Sequence, residues 1–150
     1  MSRKWKTLAA LLVVAVPVLI GCGSAAASFQ WRKISIAGRT HCLPVAFSLA
    51  DQERGLMGVK HVVRPMVFAY SPPATPSFWM KDTPAPLTGV WVGARGHVIG
   101  YWHGRPQTTD LHSPPAPISA VIEYPATAQV PARGSRFAIG PRCTTVDRRL

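Results

Sequence analysis

The sequence predicts a mainly β fold, a compact small barrel or sandwich of seven to eight short strands with one short helix. Three observations point there. Runs of four to eight apolar and β-branched residues recur along the chain, turn residues separate them at regular intervals, and 15 prolines interrupt it too often for long helices. In chain order, residues 30–36 and 40–47 read as strands around a turn at Ala37-Gly38-Arg39. Ser48-x-x-Asp51 resembles a capping box, and residues 52–57 then run without a breaker to Gly58, which predicts the helix. Residues 66–70 form a short strand with Met66, Phe68 and Tyr70 on one face. Residues 89–93 and 97–102 flank Ala94-Arg95-Gly96, the clearest hairpin signal. Residues 120–124 and 136–139 complete the set.

Proline clusters set the connections. Residues 71–76 and 114–117 are expected to lie outside central strands, because proline cannot donate to a ladder. Residues 104–118 form the longest stretch without periodicity, a length at which loops are often functional or mobile. Within it, Pro114-Pro115-Ala116-Pro117 is either a polyproline II face or a stiff surface connection.

The chain's start carries an address. Arg3, Lys4 and Lys6 precede an uncharged run from Leu8 to Ile20, 13 residues long. That is short of the about 20 residues needed to span a bilayer core. Leu19-Ile20-Gly21-Cys22 follows, the pattern of a bacterial lipoprotein signal, in which the cysteine is acylated and the chain is cut before it. The alternatives are an ordinary secretory peptide cut later, near Ala27, or an uncleaved anchor. On the lipoprotein reading, residues 1–21 are the signal, 22–28 a tether and 29–150 a single domain exported to the outer face of the cell membrane or to the outer membrane. The 129 residues after Gly21 suffice for one core without metal.

Lipid at Cys22 leaves Cys42 and Cys143 as a pair in a compartment that permits disulfides. Either they bridge, closing a loop of about 100 residues, or both are buried thiols. Net charge is +11, and +8 without Arg3, Lys4 and Lys6. No basic run is interleaved with aromatics, so nucleic acid is not the expected partner. Anionic lipid or acidic wall polymer is the alternative use for that charge. Coding bias explains it equally directly, since arginine outnumbers lysine 12 to 5 and asparagine is absent. Nothing in the composition defines an oligomeric state.

Metal sites and cofactors are not expected: there is no Cys-x-x-Cys or His-x-x-x-His, and the five histidines are scattered. Nucleophile elbows and glycine-rich phosphate loops are missing too. What remains is Phe78-Trp79-Met80-Lys81-Asp82-Thr83. In an extended segment Trp79, Lys81 and Thr83 share one face and Phe78, Met80 and Asp82 the other. An ammonium beside an indole suits a cation–π contact or a ligand stacked on the ring. Glu123, the lone acid in Val121-Ile122-Glu123-Tyr124, is the natural partner for Lys81, and Arg54 is another charge beside apolar neighbours. The competing reading is structural, with lysine and glutamate closing one end of a barrel.

Residues 50–57, Met66-Val67-Phe68, the 78–83 motif, Pro86-Leu87 and Val121-Ile122-Glu123 together resemble the domain-of-unknown-function-192 family. That family carries Arg-Gly-Leu-Met, then Met-Leu-Phe, then Phe-Trp-Met-Lys-Asn-Thr. The resemblance spans roughly residues 34–139, and the last motif matches at five of six positions. Asp82 replaces the usual Asn, and Thr88 stands where an acid usually follows Pro-Leu. The resemblance implies a compact, mostly β domain, often exported or membrane-tethered, without an established activity. Trp79, Lys81, Asp82, Glu123 and Arg54 are therefore candidate ligand-binding positions. Three functions fit them: a ligand-binding or envelope-interaction module, an enzyme using Lys81 with Asp82 or Glu123 as an acid–base pair, and a purely structural envelope protein.

Overall fold

A computed structural model of the chain describes residues 29–144. Cys22, the signal and the tether lie outside the described residues, as do residues 145–150.

Strands β1 (Gln30–Ile36) and β2 (Arg39–Ala46) form a hairpin whose two turn residues, Ala37 and Gly38, have φ of 48° and 77°. Positive φ at both central positions matches the twist of the flanking strands. Helix α1 (Leu49–Arg54) follows at once, with the Ser48 hydroxyl accepting from the Asp51 N–H at 3.1 Å. The cap read from the sequence is the cap observed, but the helix runs 49–54 rather than 52–57. Its end is set by Gly55, whose φ of 43° lets its N–H close on the Asp51 carbonyl at 2.9 Å. A Cβ there would crowd the Phe68 ring at 3.1 Å, so glycine also lets the helix end settle on the sheet.

Strand β3 (Met66–Ala74) runs through Pro72 and Pro73 and lies inside the sheet, contrary to the expectation for residues 71–76. Its ladder with the neighbouring strand breaks between Ala69 and Ala74, so the prolines fall where no N–H is required. Strands β4 (Leu87–Gly93) and β5 (Val98–Gly104) form the second hairpin across Ala94-Arg95-Gly96, with the Gly93 N–H bonded to the His97 carbonyl at 2.9 Å. β6 (Ile118–Pro125) and β7 (Phe137–Arg142) end the set.

The seven strands form one sheet in the order β5-β4-β6-β3-β2-β1-β7, antiparallel except for β2 beside β3. The sheet curls without closing, and its two margins meet at an isolated bridge between His97 and Arg136. The result is a mainly β, sandwich-like fold with apolar cover on both faces. Ile34, Val45, Val67, Val90 and Ile122 fill the concave face, with Phe137 and Ile139 of β7 packed against them. Met66, Phe68, Met80, Leu87, Trp91, Trp102 and Val121 form a second core on the outer face, roofed by the connections after β2, β3 and β5.

Cys42 and Cys143 are bridged, 101 residues apart in sequence with Cα atoms separated by 6.2 Å. The bond ties β2 to the end of β7 across β1. No helix among the described residues is long and apolar enough to cross a membrane.

Candidate functional site

The outer face of the sheet carries a polar exception. Glu123 on β6 is paired with Met66 of β3 on one side and Gly89 of β4 on the other, and only 5% of it is exposed. Among the described residues neither a salt bridge nor a hydrogen bond engages its carboxyl. Burial alone pushes the carboxyl up to about 8, so the group is mostly neutral at physiological pH.

Above Glu123 opens a cleft of about 400 Å³ between α1 and residues 76–83. Arg54 contributes from the last turn of α1, and Trp79, 46% exposed, stands at the opposite wall. Tyr70 on β3, Thr83, Ser77 and the α1 residues Gln52 and Glu53 add further polar lining to the cleft. Burial and the nearby Glu123 charge hold the Tyr70 phenol above its ordinary range, so its hydroxyl keeps its proton.

Aromatic packing positions the wall. Phe78 meets Phe68 edge-on at 5.2 Å and Trp91 at 5.7 Å between ring centroids. Met80 is fully buried. The loop at 105–117 is stitched onto this segment: Phe78 and His112 exchange backbone bonds at 2.9 and 2.8 Å, and the Met80 N–H reaches the Thr108 carbonyl at 3.0 Å. His112 stacks on Trp102 at 4.5 Å. The longest irregular stretch of the sequence thus holds the site's wall in place. Trp102 lies across Gly89, where a Cβ would overlap the indole, and its buried Nε1 lacks a hydrogen-bond partner. An unpaired donor and an unpaired carboxyl therefore occupy neighbouring register positions on one face.

Of the five candidate residues, Arg54, Trp79 and Glu123 line the cleft, whereas Lys81 and Asp82 are exposed outside it. Lys81 places its Nζ 5.4 Å from the Trp79 ring centroid, the cation–π contact anticipated from the sequence, and makes no ion pair with Glu123. The facing pattern expected for residues 78–83 holds through Lys81 and then fails. Asp82 adopts φ of 55°, which reverses the chain, turns Thr83 inward and leaves Asp82 in solvent. Asp and Asn both tolerate that left-handed geometry, so Asp82 serves the backbone as well as the Asn of the related motif. Its carbonyl accepts from the Gly58 N–H at 2.8 Å, tying the motif to the turn after α1. Because Lys81 sits on the surface, Lys81→Ala should change stability by about 1 kcal/mol or less in chemical denaturation. A loss of 3 kcal/mol or more, typical of breaking a buried pair, would restore the barrel-closing role.

Thr88, at the position where the resemblance places an acid, is buried on β4 and shares a 3.2 Å hydrogen bond with His103 Nδ1. Several cleft residues were not among the candidates, Gln52, Glu53, Ser77 and Thr83 as well as Tyr70. The signal for Tyr70 was present, since it shares a face with Met66, the residue opposite Glu123. Among the described residues no group of three His, Cys, Asp or Glu side chains is placed to hold a metal.

The family model for DUF192, described as "Uncharacterized ACR", matches residues 32–130. No curated protein matches the chain. A Novosphingobium aromaticivorans protein of unknown function shares the fold with a TM-score of 0.62 and 23% identity, over 71% of this chain and 83% of that one. A Sinorhizobium meliloti protein described as a "putative transcription regulator" aligns with a TM-score of 0.63 and 21% identity, over 75% of this chain and 95% of that one. At such identities the likeness speaks for the fold alone.

Proposed function

The chain belongs to the DUF192 family, and on that premise we propose that it is a ligand-binding module of the cell envelope, held to a membrane by lipid at Cys22. The ligand is a small polyhydroxylated molecule of sugar type, bound in the cleft of Glu123, Tyr70, Arg54 and Trp79. One observation carries this reading: an unpaired, neutral carboxyl is buried at the floor of an open cleft. Leaving such a group buried costs about 1–3 kcal/mol, and a ligand hydroxyl recovers it, because a protonated carboxyl both donates and accepts. Tyr70 adds a second hydroxyl, and the exposed Trp79 ring offers a flat apolar surface for a sugar face. Arg54 at the wall accommodates a carboxylate, as acidic wall saccharides carry.

Calorimetric titration of the full chain with wall disaccharides and muropeptides tests the reading. Saturable binding is expected, weakened about tenfold by Trp79→Ala and only a fewfold by Glu123→Gln, whose amide keeps a donor and an acceptor. Binding indifferent to Trp79→Ala, or no binding to any of these compounds, would sink it. The anchor has its own check. Metabolic labelling with palmitate should mark the wild-type chain and leave Cys22→Ser unlabelled and released from the membrane fraction. An unlabelled wild type would exclude the lipid and favour cleavage further along.

A second reading has one observation in its favour. A carboxyl protonated at neutral pH inside a cleft is placed to act as a general acid. Lys81 and Asp82 lie outside the cleft, so Glu123 alone remains of the acid–base pairs considered. Product released from those compounds by wild type but not by Glu123→Gln, at unchanged affinity, would establish it. On the exported reading proposed here, the regulator description of the Sinorhizobium protein is not carried over to this chain, because an exported domain does not meet nucleic acid.

A further inference from the structure

The concave face of the sheet carries a second cleft, apart from Glu123. On β2, Arg39 and His41 continue the row of Leu43 and Val45, and they lie opposite Ile36 and Ile34 of β1. Apolar side chains fill that row until it reaches the open end of the curled sheet, where it turns cationic. There a cleft of about 650 Å³ opens between the first hairpin, residues 63–65 and the connection from β6 to β7. Tyr124 and Leu43 lie at its floor, and Val63, 63% exposed, and Val130 stand at its sides.

Its charge is one-sided. Arg39, His41 and Arg64 all line it, and none of the lining residues is acidic. An ion pair, Arg105 with Asp110, belongs to the loop on the outer face. The Arg64 guanidinium is held 5.5 Å from the Trp31 ring centroid, and its Nε is buried without a hydrogen-bond partner. The connection forming the far wall is fixed, because Tyr101 donates to the Pro131 carbonyl at 2.8 Å and the Gly134 N–H to the Val98 carbonyl at 2.9 Å. Concave sites with apolar walls and a few polar groups at the mouth of a curled sheet are common ligand sites. Guanidinium groups there match carboxylate or phosphate oxygens.

We propose that this mouth binds an amphiphilic organic anion, a carboxylate or phosphate monoester carrying an apolar body. The head pairs with Arg39 and Arg64, and the body lies against Val63, Val130 and the inner core. The site is independent of the Glu123 cleft, which opens on the opposite face.

Titration of the full chain with hexyl phosphate and hexanoate, against inorganic phosphate, hexanol and hexyltrimethylammonium, separates head from body. Both anionic amphiphiles should bind at least tenfold more tightly than any of the three controls, and more weakly as ionic strength rises. Arg39→Gln and Arg64→Gln should each cost about tenfold, whereas Arg105→Gln removes the same charge from the outer face and should leave affinity unchanged. Val63→Glu, at an exposed wall position, should repel the anion without disturbing the core. Addition of nanodiscs with and without phosphatidate identifies the source: competition by phosphatidate alone assigns the anion to a lipid headgroup, and none assigns it to a soluble molecule. Equal binding of the cationic amphiphile or of inorganic phosphate overturns the proposal, as do folded arginine variants with wild-type affinity.

Discussion

The melting temperature of the chain is expected to fall as the pH rises from about 5 to about 8, and Glu123→Gln is expected to remove most of that fall. The folded carboxyl titrates near 8 because burial penalises its charge, against 4.5 for the free group. Below 4.5 both folded and unfolded chains hold the proton. Between the two values the folded state keeps it while the unfolded state releases it, so stability drops with pH throughout the window and levels off above it. At about 1.4 kcal/mol per pH unit, the full loss is roughly 5 kcal/mol, a large share of the stability of a small domain. Glutamine fills the same space without titrating. The variant should therefore be the less pH-sensitive protein and, above pH 8, the more stable one. Thermal unfolding of both proteins in parallel from pH 4 to 9 cancels the contribution of the histidines. Parallel curves would mean that the carboxyl ionises in the folded state, and the neutral-donor role in the cleft would fall with it.

The same residue shows how far a sequence reading reaches. Glu123 stood out as an acid within an apolar strand, and the register of β6 with β3 puts it on a face with Val121. Its isolation could not be read, because that depends on where Lys81 points. Lys81 is two residues from Trp79 in an extended segment, and both leave the sheet together. The reversal at Asp82 then separates the motif's last two residues from the alternation that ordered the first four. Hairpins were legible because their turns are local, as at Ala37-Gly38 and Ala94-Arg95-Gly96. The parallel contact of β2 with β3 rests on only two register pairs, Val45 with Val67 and Ala46 with Phe68, and leaves no local trace. That contact carries α1 over the outer face, and so brings Arg54 into the cleft with Glu123. Prolines misled for a related reason: the rule against them in central strands assumes an unbroken ladder, and β3 meets β6 through a gap.

Reduction of the Cys42–Cys143 bridge is expected to lower stability by about 4–5 kcal/mol, the chain-entropy value for a loop of about 100 residues. In Cys22→Ser, the denatured but unreduced chain should show no free thiol, and two after reduction. Two before reduction would mean that the bridge does not form in the protein as made. Urea denaturation with and without reductant then gives the stability difference, and Cys42→Ala with Cys143→Ala should reproduce it. The loss should also be uneven. β7 is a margin strand whose residues are only partly buried, its ladder with β1 shifts register between Arg32 and Ile34, and toward the β5 margin it has only the isolated His97–Arg136 bridge and the backbone bonds beside it. With so little apolar burial, the covalent tie across β1 does much to hold it. Amide exchange in the reduced protein should therefore rise first in β7 and in the connection from β6, while β4 and β6, buried along nearly their whole length, stay protected. That connection forms one wall of the concave mouth and Cys42 lines the mouth directly. Reduction should thus weaken anion binding there before it disturbs the Glu123 cleft, whose walls are held by the Phe78 and His112 contacts on the other face. Simultaneous loss at both clefts would instead show that the bridge stabilises the sheet as one unit.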